Sequence, residues 1–270
     1  MIDISKKAFF FAAVFLCSIV KSYGQYVVFM PMEYFTKILA REEIGYGYAI
    51  SNATYKFKSM GNNGLPDTSI SQNVTSKAGF TEHVGYTFPI SKLGDRSRLG
   101  MDIGCNVNLF TWDYKTPTVM TNSDGRPYYS FTENEFDFET ISGQIEMPIS
   151  LDARFGNLAY YTKDRFGWAV GAGISPMIGF ATDNNSAGFG FGANPFIKAE
   201  VCLFAGIAMK LRSQVSFGRI PFYDENKSIS YDISGYNTSS SLTGHVQASV
   251  TLVVLPFSWL WAEKGWWNTY

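Results

Sequence analysis

His83 and His245 are the only imidazoles in this chain of 270 residues, so histidine-centred acid–base or nucleophilic chemistry must use one of them. A hydrolase or acyltransferase would also need a hydroxyl within hydrogen-bond reach of a ring and a third group to orient that ring. Ser249 and Thr81 lie on compatible strand faces, but no HxS, GxSxG or HExxH spacing is present. Two histidines without a nearby cysteine or acid cluster do not complete a metal site. The sequence therefore predicts no catalytic group, metal or cofactor. It predicts instead two rim histidines, facing inward on the strands that flank the first and making ordinary polar contacts.

A larger set of charged residues recurs at every second position. From Leu99 to Leu109 the odd positions are all apolar, while Gly100, Asp102, Gly104, Asn106 and Asn108 occupy the other face. With Ile141, Ile145, Met147, Ile149, Leu151 and Phe155 on one face, Gln144, Glu146, Asp152 and Arg154 fall on the opposite one. Likewise Ile197, Ala199, Val201 and Leu203 oppose Lys198 and Glu200, and Ile207, Met209, Leu211 and Val215 oppose Lys210, Arg212 and Gln214. Such strands have one lipid-compatible side and one polar side, a pattern suited to tilted strands that cross a bilayer in roughly 9 to 11 residues. The fold class read from this is all-β, an antiparallel transmembrane up-and-down β-barrel.

Eight strands are expected, at about 43 to 58, 77 to 90, 98 to 112, 139 to 155, 166 to 180, 188 to 203, 207 to 219 and 243 to 257. Ten would result if 127 to 138 or 228 to 237 supplied another hairpin. Long connections (59 to 76, 113 to 138, 220 to 242) fall on one side with one exception, 181 to 187, unless Gly188, Gly190 and Gly192 belong to that loop. Short turns in the periplasm and an even strand count put both termini there. Pro148, Pro176 and Pro195 fall inside expected strands, where each removes a ladder donor, so bulges or shorter strands must accommodate them.

An eight-stranded barrel has an interior only wide enough for its own side chains. Asp102, Glu146, Asp152, Arg154, Lys198, Glu200, Lys210 and Arg212 should therefore pair inside, because an unpaired buried charge is costly. The expected lumen is closed, and a narrow ion path is the alternative.

Lys6 and Lys7 precede an apolar run from Ala8 to Val20, and Ser22 and Gly24 supply the small residues of a cleavage site. Residues 1–24 thus read as a secretory signal peptide, with cleavage before Gln25. Leu16 before Cys17 argues against lipidation. The remaining 246 residues carry 19 basic and 22 acidic side chains, a net −3 that implies no nucleic-acid partner. Cys105 and Cys202 face opposite sides of distant strands, which argues against a disulfide or a CxxC redox site. The organisation is then a periplasmic N-terminal segment at 25–42, where Met30, Tyr34, Ile38 and Leu39 suit a short amphipathic helix, a barrel at 43–257 and a Trp-rich tail at 258–270. In that tail Trp259, Trp261, Trp266 and Trp267 are expected as membrane-interface or partner anchors. The acidic, aromatic 113 to 138 loop and the Tyr-, Ser- and Asn-rich 220 to 242 loop suit recognition or divalent-ion bridging to lipopolysaccharide.

The signal peptide, the Leu99 to Leu109 alternation, the terminal Val246 to Phe257 strand and the loop alternation resemble the small OmpA-type, porin-like family of outer-membrane barrels in Gram-negative bacteria. That resemblance implies outer-membrane localisation and insertion by the barrel-assembly machinery, which reads a terminal aromatic such as Phe257. Cleavage before a glutamine also looks like exported proteins of bacteria with type IX secretion and gliding machinery, where small barrels serve as accessory subunits. The expected function is a non-enzymatic, closed barrel that is a structural or accessory subunit of an outer-membrane assembly, contacting lipid, lipopolysaccharide and other outer-membrane or periplasmic proteins. A narrow pore or small-ligand transporter is the alternative, and a lipid-modifying enzyme using His83 and His245 stands third.

Overall fold

A computed structural model describes residues 38–60, 67–113, 115–132, 141–182, 186–223, 229–230 and 237–261. The expected signal peptide, Met30, Tyr34, Trp266 and Trp267 lie outside them. The strands in chain order are β1 (Glu42–Met60), β2 (Thr68–Thr75), β3 (Ala78–Gly94), β4 (Ser97–Thr111), β5 (Thr116–Thr121), β6 (Pro127–Thr132), β7 (Ile141–Glu146) and β8 (Ile149–Gly156). After one turn of helix α1 (Asn157–Tyr160) come β9 (Phe166–Thr182), β10 (Ser186–Phe204), β11 (Ala208–Tyr223), β12 (Ile229–Ser230) and β13 (Asn237–Leu255).

The ring closes because every wall strand has two antiparallel neighbours. β1 pairs with β3 and β13; the circuit then runs through β4, the broken strand β7/β8, β9, β10 and β11 back to β13. With β7 and β8 as one interrupted crossing, the wall has eight strands. The additional hairpin does not enlarge it: β5 and β6 pair only with each other, and β12 adds two residues to the end of β10.

The three prolines lie at one level of the wall. Pro148 separates β7 from β8, while Pro176 and Pro195 stay inside continuous β9 and β10, with Pro176 opposite Ala193 and Pro195 opposite Ile174. Two devices absorb the missing donors. The β7/β8 break faces Pro176, whose carbonyl accepts from Met147 N at 2.8 Å. The β10–β11 ladder ends at Phe196↔Ser216, so Pro195 stands where no partner needs its amide. Just above, Gly218 at φ 112° lets β11 bulge and turn inward, and Pro221 packs on the inner faces of Gly190 and Gly192. Those glycines therefore belong to β10 and not to the loop before it.

Connections β3–β4, β8–β9 and β10–β11 are short and share one end with the start of β1 and the end of β13. The last of them turns through Gly206 at φ 86°, a left-handed conformation that suits glycine. The opposite end carries the long connections. β1, with 19 residues, could reach about 60 Å, far more than one bilayer crossing requires. Its faces exchange character part-way. Ile44, Tyr46, Tyr48 and Ile50 face outward below Asn52, whereas Lys56 and Lys58 face outward above it and Tyr55 and Phe57 are buried inside. The lower wall is thus apolar outside and polar inside, and the upper extension is the reverse, as a water-exposed β-structure would be.

Candidate functional site

The lumen is filled in three layers. At the long-loop end, Tyr55, Phe57, Phe110, Trp112, Met177, Ile220, Phe222 and Leu242 form an apolar plug. Trp112 meets Phe222 edge-on with ring centroids 5.1 Å apart and donates its indole N–H to Ser142 Oγ at 2.6 Å. At the short-turn end, Leu158, Tyr161, Cys202, Ala208, Leu255 and Trp261 form a second plug. A layer of buried charge lies between them.

Four acids and four bases make that layer. Lys198 Nζ pairs with Asp102 and lies 2.9 Å from Asp152 Oδ2. Lys210 Nζ is 2.6 Å from Glu43 Oε2 and 3.1 Å from Glu200 Oε2. Arg212 reaches Asp102 at 2.9 Å and Glu200 at 3.5 Å, and Arg154 reaches Glu200 at 3.3 Å. Hydroxyls take further carboxylate lone pairs: Thr87 Oγ1 donates to Glu43 at 3.0 Å, and Ser150 Oγ donates to Asp152 at 2.7 Å. β9 contributes no charge to this layer but contributes space, since a Cβ on Gly171 would collide with the Asp152 carboxylate. The Arg154 guanidinium also donates to the Tyr161 hydroxyl at 2.8 Å. Burial pushes that phenol above its ordinary pKa, which keeps it a neutral acceptor.

Seven of the eight residues expected in the lumen meet here: Asp102, Asp152, Arg154, Lys198, Glu200, Lys210 and Arg212. Glu146 does not join them. It is fully buried higher up, where Gln247 donates to it at 2.9 Å and Asn106 at 3.4 Å, with no ion-pair partner among the described residues. Its expected role as an ion-pair member is corrected to that of an amide-bound carboxyl. Glu43 was missed, although the alternation of Tyr46, Tyr48 and Ile50 places it inward.

The histidines part company. His83 is buried in the middle of the lumen, not at the rim, its ring lying over Gly85 and Gly104. Arg212 donates to its Nε2 at 2.5 Å, so Nδ1 carries the hydrogen donated to Asn106 Oδ1 at 2.7 Å. His245 is the extra residue between Gly244 and Val246 where the β1–β13 register shifts. It turns outward and contacts Thr54 Oγ1 at 2.7 Å. No histidine pair exists for the lipid-modifying chemistry considered from the sequence. Glu43, Asp102 and Glu200 bring carboxylate oxygens within 4.8 Å of one another, but Lys198, Lys210, Arg154 and Arg212 already neutralise them, so the trio is an ion-pair site and a poor cation receptor.

Trp261 is also displaced from its expected role. It is buried, donates its indole N–H to Ala40 O at 2.8 Å and stacks edge-on with Tyr161. It closes the barrel and does not anchor a surface, whereas Trp259 remains 58% exposed.

No protein-family model matches the chain, and comparison with curated proteins returns no match. Solved structures similar in fold include the attachment invasion locus protein Ail of Yersinia pestis, with 6% identity, TM-score 0.30, and 78% of this chain and 97% of that one covered. Neisserial surface protein A gives 12% identity, TM-score 0.32 and coverages of 78% and 96%. The outer-membrane protease OmpT of Escherichia coli gives 6% identity, TM-score 0.40 and coverages of 79% and 96%. The last of these corrects the expectation that the chain is not an enzyme. A protease stands among these structures, so the exclusion drawn from the missing HxS, GxSxG and HExxH spacings is withdrawn. At these identities and TM-scores, nothing about activity or ligand passes from these proteins to this chain.

Proposed function

We propose that this chain is an integral outer-membrane β-barrel with a sealed lumen. It acts through its outer surfaces as a structural or accessory subunit of an outer-membrane assembly, such as a secretion or motility machine. The observation that carries the reading is the filling of the lumen: two apolar plugs lie on either side of a charge-balanced ionic layer, which supports a closed interior. The outward belt of Ile149, Leu151, Val170, Ile174, Ile197, Val201, Leu211, Val250 and Leu252 supports a lipid surrounding. Residues 1–24 act as the export signal, the short-turn end and both termini face the periplasm, and the long connections face outward toward lipopolysaccharide. Insertion uses the barrel-assembly machinery.

Purification of the tagged protein from its own outer membrane in mild detergent, followed by sizing and identification of co-purifying chains, tests the assembly role. A stoichiometric complex is expected, and a lone species overturns it. Planar-bilayer recording tests the seal separately: a silent membrane is expected, and steady unitary openings refute the closed lumen.

A further inference from the structure

The apolar band of the outer wall contains one acid on β3 that the lumen does not explain. Glu82 points outward between Phe80 and Val84, and across the ladders it faces Tyr46 of β1 and Val107 of β4. The Tyr46 phenol hydrogen-bonds to it, and no cation pairs with it among the described residues. Glu42, at the lower end of β1, repeats the arrangement with Tyr86 directly opposite. A carboxylate set against hydrocarbon is unfavourable, and such residues mark functional contacts. Around it Tyr46, Tyr48 and Phe80 are 54%, 50% and 44% exposed, a concentration of large aromatics of the kind found at interface cores.

We propose that the strip formed by Tyr46, Tyr48, Phe80, Glu82 and Tyr86 is a lateral docking surface for a different integral outer-membrane protein that presents a lysine or arginine to Glu82. The inference rests on the assembly reading above and names the surface that reading leaves open. Charge complementarity selects the occupant. A second upright copy would set Glu82 against an acidic, aromatic face, because the outward cations of β1 and β3, Lys56, Lys58 and Lys92, lie beyond either edge of the band. A lipid ammonium resides at headgroup level, and Ala78 and Phe80 stand between Glu82 and the upper edge.

Cys105 provides the probe. It lies on the outer face opposite Val84, about 7–8 Å diagonally from Glu82, while Cys202 is fully buried inside. Benzophenone maleimide attached to Cys105 in native outer membranes and photoactivated should join the chain to one other polypeptide. Glu82→Leu should leave barrel abundance and heat-modifiable folding unchanged and reduce both the adduct and the co-purified partner at least about tenfold. Glu82→Gln, which preserves shape, should give a smaller loss. Retention of the partner at wild-type level in Glu82→Leu overturns the docking surface while the assembly reading stands. Adducts only to lipid or to a second copy also overturn it. A wild-type protein that gives no adduct and purifies alone overturns both readings.

Discussion

Replacing Glu200 by glutamine should destabilise the barrel by about 3–5 kcal/mol, the cost of removing one partner from a buried ion pair. Glu200 is the hub of the ionic layer: Lys210 lies 3.1 Å away, Arg154 3.3 Å, Arg212 3.5 Å and Lys198 3.7 Å. Each contact is worth roughly 5 kcal/mol at an effective dielectric of 20, and desolvation of five charged groups offsets most of the sum. The variant keeps the volume but leaves four cations facing three carboxylates. Urea unfolding of protein refolded into short-chain lipid vesicles, followed by tryptophan fluorescence and the heat-modifiable gel band, measures the loss. Adding Lys210→Met restores charge balance and should recover at least half of it, a coupling characteristic of residues in one network. The reasoning is refuted if the single variant stays within about 0.5 kcal/mol of wild type or the double variant loses the sum of the two single changes.

Gly85→Ala would place a methyl 2.8 Å from His83 Nε2, forcing the imidazole off Arg212 at a cost of about 1–3 kcal/mol; His83→Ala should suppress the defect in the same urea titration. Trp261→Ala empties the lower plug and should cost about 3–5 kcal/mol, whereas Trp259→Ala should stay within about 0.5 kcal/mol. Truncation after Ser258 should weaken the barrel accordingly, which resistance of the folded gel band to heat would report. A triple Phe110→Ala, Trp112→Ala, Phe222→Ala variant removes the upper plug but leaves the ionic layer intact, so bilayer recordings should stay silent. Unitary openings in that variant would show that aromatic packing, and not the charge layer, provides the seal.

Period-two alternation by itself determined the outward apolar set and the inward face of seven members of the ionic layer, because the pleat of a strand assigns each residue to a face whatever the strand pairs with; the choice of eight strands over ten was made only by the pairing of β5 and β6 with each other alone. Glu43 was legible by the same rule once β1 was phased on Tyr46 and Tyr48. Which inward charges meet was not legible, because depth in the lumen depends on strand tilt and stagger, and these are set when the ring closes. Hence Glu146, only six residues before Asp152, sits with amides above the layer, and His83 lies in its midst. One-residue irregularities were equally hidden: the bulge beside Asn52 and Gly244 turned His245 from the inner to the outer face. The positions of Trp261 and the three prolines follow from contacts between segments far apart in sequence. Local pattern decided the face of each side chain, and closure of the barrel decided its partners.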